Sequence, residues 1–191
     1  GGKDSHFPPG IQSYRGDNFD YHIKPFEEAI KSGVSSIMPY YSLPIGITKE
    51  EVAAGYNSEL LLDLLRNKYS FDGIICTDWA IISDISMPDG ELVKPASSYG
   101  VENLDISERL KKVIMSGVDL IGGENLTMEL VNLIQSGQID ESRIDVSISR
   151  IMKQKFQLGL FDNPYLEDDM LNIYENKFNR DKGIEAQKKS L

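Results

Sequence analysis

Three short apolar runs, spaced about 40 residues apart, are the feature that most restricts how this chain can fold. The runs cover residues 34–38, 73–77 and 118–121, and apolar side chains are nearly continuous in each. Runs this short do not make helices, and strands that are covered on both faces, as in a parallel sheet, show this pattern. The spacing suits repeated strand-plus-helix units with elaborated loops.

Helical periodicity precedes each run, at residues 25–31, 58–68 and 106–115, and continues after the third run at residues 127–135 and 142–158. Asn57 stands at the N-cap position of the second helix, and Gly117 at the end of the third. Helices that alternate with parallel-type strands predict an α/β layer or barrel. Residues 1–22 and 80–105 are predicted to be long loops, which are usually functional inside a compact domain.

Composition excludes several classes of function. The net charge of −10 argues against nucleic acid as a partner, because phosphate binding needs clustered Lys and Arg. No apolar run approaches the length of a membrane span. The single cysteine, Cys76, excludes an intrachain disulfide and is predicted to be buried in its strand. With two histidines and no ligand cluster, we predict neither a metal site nor a cofactor.

The residues that follow the strands carry the candidate chemistry, because ligands of α/β folds lie at the carboxyl ends of the strands. Tyr41 follows the first run, Asp78 and Trp79 follow the second, and Glu124 follows the third. A carboxylate beside an aromatic ring suits a sugar, whose C–H face stacks on the ring. Asp78 is either a nucleophile that attacks an anomeric carbon or the N-cap of a following helix.

Residues 69–79, YSFDGIICTDW, preceded by Leu64-Leu65-Arg66, resemble the nucleophile signature of glycoside hydrolase family 3. Residues 29–41, 116–120 and 150–161 resemble three further stretches of that family, in the same order, so that the resemblance covers roughly residues 18–191. It implies that Asp78 is the catalytic nucleophile and that Trp79 and Tyr41 bind the substrate. Asp119 is expected to be structural or to bind a sugar hydroxyl.

The resemblance also implies a fold, an α/β partial (β/α)8 barrel of the TIM type that holds about the last three βα units. Residues 1–162 are expected to form this part of the barrel, and residues 163–191 a linker toward a missing second domain. A retaining glycosidase needs a second carboxyl group as acid/base. In β-glucosidase-like members of the family that group comes from the following domain. Within this chain the weaker options are Glu124 and the loop carboxylates Asp84, Asp89 and Glu91.

One departure concerns Ser5-His6, where family members carry a Lys-His pair that binds sugar hydroxyls. Either His6 belongs to a degenerate copy of that pair or, as we favour, the true pair lies upstream. The compartment stays open, with a periplasmic or secreted parent protein favoured.

The expected function is retaining, exo-acting, β-glucosidase-like hydrolysis of a β-glucoside or β-xyloside through a covalent glycosyl-aspartate. The chain needs the missing barrel half and the following domain, and we predict that it is inactive alone. The alternative is a non-catalytic carbohydrate-binding remnant of the same barrel. Relatives that act on N-acetylglucosaminides carry an Asp-His pair on a barrel loop, which this chain lacks.

Overall fold

The computed structural model describes residues 4–7, 10–166 and 176–190. These residues belong to two compact units, which divide between Gln154 and Lys155. The helices and strands are, in chain order, β1 (Ile11–Ser13), α1 (Phe19–Lys31), β2 (Ser36–Ile37), β3 (Leu43–Ile45), a π-helix (Glu59–Lys68), β4 (Ile74–Ile75), β5 (Ile85–Ser86), β6 (Leu92–Lys94), α2 (Ile106–Met115), α3 (Thr127–Gln135), α4 (Glu141–Gln157) and α5 (Lys177–Ser190).

The three apolar runs lie side by side as parallel strands. β2 pairs with β4 in parallel, with Ser36 opposite Ile74. On the other side of β4, Cys76 forms a parallel bridge with Leu120, in the third run. Because each strand is preceded by a helix and the strands neighbour one another in chain order, the arrangement is an arc of a (β/α) barrel. The predicted α/β partial barrel is confirmed, although its strands are shorter than the apolar runs.

The helices agree closely with the periodicity of the sequence, apart from the first. α2 and α3 have the predicted bounds, and a capping box between Asp105 and Glu108 starts α2. α1 begins at Phe19, six residues before the predicted start, and contains Pro25. A helix that starts at residue 25 has Pro25 in its first turn, where the missing N–H of proline is not needed. In the structure Pro25 lies inside α1, which tolerates the loss of one backbone hydrogen bond. Part of the predicted loop 1–22 is therefore helical.

The helix before β4 is of the π type. The backbone N–H of Tyr69 bonds to the carbonyl of Leu64, five residues earlier, at 3.0 Å. Asn57 caps the start as predicted, because its Oδ1 accepts a hydrogen bond of 3.1 Å from the N–H of Leu60. Leu61 and Leu65 are buried and pack this helix into the core.

Short strands occupy both predicted long loops. β1 pairs in parallel with β3, with Ile11 opposite Leu43, and lies within residues 1–22. β5 and β6 form an antiparallel hairpin within residues 80–105. Strands of two or three residues are too short to show alternation, so the sequence pattern could not indicate them.

A buried ionic network around Asp119 joins three elements beneath the sheet. The Asp119 carboxylate is fully buried and pairs with Arg66 of the π-helix at 2.5 Å and with Arg150 of α4 at 3.0 Å. It also accepts hydrogen bonds from Ser147 Oγ at 2.8 Å and from the N–H of Ile75 at 3.0 Å. Four donors thus occupy both oxygens of the Asp119 carboxylate inside the protein, and Asp119 is structural.

Residues 163–191, predicted to be a linker, include 167–175, which lie outside the described residues. The described part of this segment contains α5, which has no buried residue. The predicted domain boundary at residue 162 stays a prediction. None of the described helices has both the length and the apolar character that crossing a bilayer requires.

Candidate active site

Asp78 lies at the carboxyl end of β4, where two neighbouring strands fix its position. Thr77 is fully buried, and its N–H bonds to the carbonyl of Leu120 at 2.9 Å. Its hydroxyl accepts a hydrogen bond of 2.7 Å from the N–H of Gly122. The next residue, Asp78, therefore stands at the edge of the sheet where the third strand also ends.

The Asp78 carboxylate is half-buried and bonds to the backbone of the turn in which it lies, not to the start of a helix. Its Oδ1 accepts a hydrogen bond of 2.7 Å from the N–H of Trp79. The residues that follow form a turn and then the β5–β6 hairpin, and the next helix begins only at Ile106. The N-cap alternative does not fit this geometry. Among the described residues, Asp78 makes no ion pair.

Tyr41 reaches Asp78 from the end of the neighbouring strand, β2. The ring is buried, with 5% of the residue exposed, and its hydroxyl donates a hydrogen bond of 2.6 Å to the carbonyl of Trp79. Burial, and then the adjacent carboxylate of Asp78, raise the pKa of Tyr41. The phenol therefore remains protonated at neutral pH and holds the turn that carries Asp78.

Trp79 presents an exposed indole beside the carboxylate. The residue is 53% exposed, and its ring lies against the backbone of Gly122 and Gly123. A Cβ atom at Gly123 would overlap the indole, and this glycine also has a φ of +69°. The two glycines thus form the floor on which the indole rests, which leaves one apolar face free for a sugar ring.

Glu124, the acid/base option within the chain, already uses both of its oxygens. Oε1 accepts hydrogen bonds from the N–H groups of Ile81 and Ile82 at 2.9 and 3.0 Å. Oε2 accepts from the N–H and the hydroxyl of Ser83 at 2.8 and 2.6 Å. These four donors occupy the lone pairs of both oxygens and leave none aimed at a ligand. Glu124 anchors the segment after Asp78 and is unsuited to proton transfer.

Two of the three loop carboxylates, those of Asp84 and Asp89, also support the hairpin. Asp84 accepts a hydrogen bond of 2.7 Å from the N–H of Ala96, which closes the base of the hairpin. Asp89 accepts one of 3.1 Å from the N–H of Glu91 at its tip. These contacts are local turn stabilisation, and none of them brings a second carboxyl group beside Asp78.

Cys76 was predicted to be buried in its strand, but it is only half-buried. Side chains alternate along a strand, and the neighbours Ile75 and Thr77 face the core with no exposed surface. Cys76 faces the other side, which is partly open. Burial, and then the charge of Asp78, raise the pKa of its thiol, so a nucleophilic thiolate is disfavoured.

Two further side chains lie on the ring of Tyr41, and one of them was not identified from the sequence. The ammonium of Lys94, on β6, lies 4.2 Å from the centre of the ring. The ring of His6 packs edge-on at 5.4 Å, and its Nδ1 lies 2.7 Å from Asp4. Lys94 carries no sequence signal, because only the folding of the hairpin brings it back to β2. Both interpretations of His6 stay open.

Within the described residues, no group of three or more His, Cys, Asp or Glu side chains is arranged to hold a metal ion. The side chains at this site are the Asp78 carboxylate, the Tyr41 phenol, the Trp79 indole, the Lys94 ammonium and the His6 imidazole. A carboxylate without an ionic partner, flanked by aromatic rings at the mouth of a parallel sheet, can approach the anomeric carbon of a bound sugar.

The chain is similar to curated β-glucosidases. The chain is 44% identical over 191 residues to a probable β-glucosidase C of Aspergillus oryzae, an alignment that covers 99% of this chain and 30% of that protein. It is 40% identical over 184 residues to a periplasmic β-glucosidase/β-xylosidase of Dickeya chrysanthemi, covering 90% of this chain and 28% of that protein. The chain thus spans less than a third of the length of these curated relatives.

Among solved structures, a β-glucosidase from Listeria innocua in complex with glucose superposes with a TM-score of 0.64 and is 24% identical. The superposition covers 81% of this chain and 19% of the Listeria enzyme, and it shows that the fold is shared. Residues 1–154 match the description "Glycosyl hydrolase family 3 N terminal domain". The chain therefore belongs to glycosyl hydrolase family 3, within the N-terminal domain of that family.

Proposed function

We propose that this chain carries the nucleophile of a retaining, exo-acting β-glycosidase that acts on β-glucosides or β-xylosides. The observation that carries the proposal is the Asp78 carboxylate, which ends β4 without an ionic partner among the described residues and lies between Tyr41 and Trp79. The names of the relatives from Aspergillus and Dickeya support the same substrate class.

The proposed reaction has two steps. In the first, an oxygen of Asp78 bonds to the anomeric carbon as the bond from that carbon to the aglycone oxygen breaks, and the departing oxygen takes a proton from an acid. In the second step, water attacks the same carbon, gives a proton to the base, and releases Asp78 as a carboxylate. Double inversion at the anomeric carbon retains its configuration.

The other site residues have supporting roles in this scheme. Trp79 offers its exposed face for stacking against the sugar. Tyr41, protonated because its pKa is raised, holds the turn of Asp78 through the Trp79 carbonyl. The acid/base group comes from sequence beyond this chain, since Glu124 is held by four donors, and Asp84 and Asp89 bond to backbone N–H groups of the hairpin.

Covalent labelling tests the nucleophile directly. The protein with its native flanking sequence is incubated with a 2-deoxy-2-fluoro-β-glucosyl fluoride, which traps a glycosyl-enzyme intermediate, and is digested for mass spectrometry. We expect the label on Asp78, and none on the Asp78→Asn variant. Asp89→Asn, at the exposed tip of the hairpin, is the matched control and should label normally. Label on any other carboxylate would contradict the assignment.

A carbohydrate-binding remnant of the barrel is the second candidate function. The engagement of Glu124 favours it, because hydrolysis needs a second carboxyl group and both oxygens of Glu124 are held by backbone and Ser83 donors. The same experiment separates the two functions. A remnant would bind a β-glucoside equally well with Asp or Asn at position 78 and would acquire no label in either form.

A further inference from the structure

Lys94 is held in a defined place by the hairpin that follows Asp78. It ends β6, which pairs with β5, and the two residues after it lead into the base of the hairpin. There the N–H of Ala96 bonds to Asp84 at 2.7 Å, and the N–H of Ser97 bonds to the carbonyl of Ala80 at 2.7 Å. The backbone that carries Lys94 is thus tied to the turn that carries Asp78.

The ammonium of Lys94 lies over a buried ring rather than in open solvent. It is 4.2 Å from the centre of the Tyr41 ring, and the Tyr41 hydroxyl is bonded to the residue after Asp78. Lys94 also lines a hollow of about 410 Å³, together with His6, Phe7 and Tyr99. A half-buried lysine at the rim of a hollow has given up part of its hydration.

This cation has no anionic partner in the part of the chain that the structure describes, where it makes neither an ion pair nor a side-chain hydrogen bond. An ammonium carries three donors, and a cation–π contact satisfies none of them. Two other half-buried lysines have polar partners, since Lys112 pairs with Glu50 at 2.6 Å and Lys111 donates a hydrogen bond of 3.5 Å to Gln138. The donors of Lys94 are therefore available to a ligand in the hollow.

We propose that Lys94 determines substrate specificity by donating hydrogen bonds to ring hydroxyl groups of the glycosyl unit that faces Asp78. A neutral polyol is the ligand chemistry that fits, because hydroxyl oxygens accept these hydrogen bonds without adding negative charge beside the Asp78 carboxylate. This inference rests on the proposed function for the identity of the sugar, and it depends on binding alone, not on the covalent step.

Calorimetric binding of 4-nitrophenyl 1-thio-β-D-glucoside, which resists hydrolysis, tests the inference in the protein with its native flanking sequence. Lys94→Met keeps the length of the side chain and its packing on Tyr41 but removes the donors. We expect the dissociation constant to rise about ten- to a hundredfold, the usual effect of losing a hydrogen bond to a charged group. Lys94→Arg, which keeps charge and donors, should retain most of the affinity.

The monodeoxy analogues of the ligand separate hydrogen bonding from packing. For the analogue that lacks the hydroxyl bound by Lys94, wild type and Lys94→Met should bind equally weakly, whereas the other analogues should still distinguish them. Lys24→Met is the matched control, since Lys24 also lies over a tyrosine ring, at 5.6 Å from that of Tyr21, on the exposed face of α1. It should bind like wild type.

Equal loss for every analogue, or no loss at all, would overturn the assignment of Lys94 as a hydroxyl donor. Thermal melting of each variant shows whether a loss of binding reflects unfolding, and Lys94→Arg then carries the test. Failure of the nucleophile assignment is a separate result. A protein that binds the thioglucoside through Lys94, yet is never labelled at Asp78, would keep this inference and remove only the catalytic proposal.

Discussion

The indole of Trp79 packs against two glycines, which follow the neighbouring strand and have no side chains to displace it. Gly122 and Gly123 leave only backbone beneath the ring, and a Cβ atom on either would press on the indole or on nearby backbone. The pair of glycines follows the third strand, while Trp79 follows the second. The position of the indole is thus set by the contact between two neighbouring strand ends.

Gly123→Ala should therefore impair sugar binding more than it impairs folding. The new methyl group displaces the indole, and loss of its stacking lowers kcat/KM for an aryl β-glucoside about tenfold. The positive φ adds a strain of about 1–2 kcal/mol. Gly90→Ala is the matched control, because Gly90 has a φ of +89° and nothing near its Cβ position. Equal kcat/KM for the two variants would show that Trp79 does not depend on this floor.

At the residue scale, the sequence predicted that Tyr41, Asp78 and Trp79 lie close together, but it did not predict that Lys94 lies beside Tyr41. Tyr41, Asp78 and Trp79 directly follow adjacent parallel strands, so apolar runs alone predict that they meet, and the structure brings them together. Lys94 reaches Tyr41 only because a hairpin of two- and three-residue strands folds back. Strands that short leave no periodic signal, and a lysine in such a loop is ordinarily solvated.

Among the elements, helices were better predicted than strands for a related reason. A helix of ten residues repeats its apolar stripe nearly three times, and α2 was therefore found with its bounds. The π-type geometry of the helix Glu59–Lys68 has no such signal, because its apolar residues fit an α-helical stripe as well. One consequence of this helix is its placement of Arg66 beneath the sheet, where it meets Asp119.

The ion pairs and hydrogen bonds of Asp119 should be the main polar contacts that hold the π-helix, β4 and α4 together. Asp119→Asn removes the charge that Arg66 and Arg150 face in a buried site, and leaves Arg66 without its ion-pair partner and Arg150 with only its surface partner, Asp72. Breaking such a pair costs about 3–5 kcal/mol, measured as the loss in free energy of unfolding in urea. Asp72→Asn is the control, since Asp72 pairs with Arg150 and Lys153 at the surface, with 65% of its side chain exposed.

The two variants should differ by more than about 2 kcal/mol, because solvent replaces the surface partner of Asp72 but cannot reach Asp119. A loss at Asp119 as small as that at Asp72 would mean that the network is not needed to hold the π-helix and α4 to the sheet. Asp119 is fully buried among Arg66, Arg150 and Ser147, so kcat/KM of the folded variant should change little, which separates this structural effect from those at Asp78 and Gly123.

The whole molecule has open sheet edges. In the described residues, β2 pairs only with β4 at one side of the arc, and the strand segment that contains Leu120 pairs only with Cys76 at the other. A complete barrel has no such edges, since each strand has two neighbours. Apolar side chains at both edges are solvent-exposed, including Val34, Met38 and Leu120, which are 39%, 52% and 44% exposed.

The isolated 191-residue chain should therefore associate and lack activity, while the protein with its native flanking sequence should be active. Unpaired strand edges with exposed apolar side chains favour edge-to-edge contacts between copies. Analytical ultracentrifugation should show concentration-dependent association of the chain at micromolar concentration, and assays with 4-nitrophenyl β-glucoside should show no turnover. A monomeric chain that hydrolyses this substrate would contradict both expectations, because it would have to supply the second carboxyl group and the missing walls of the site by itself.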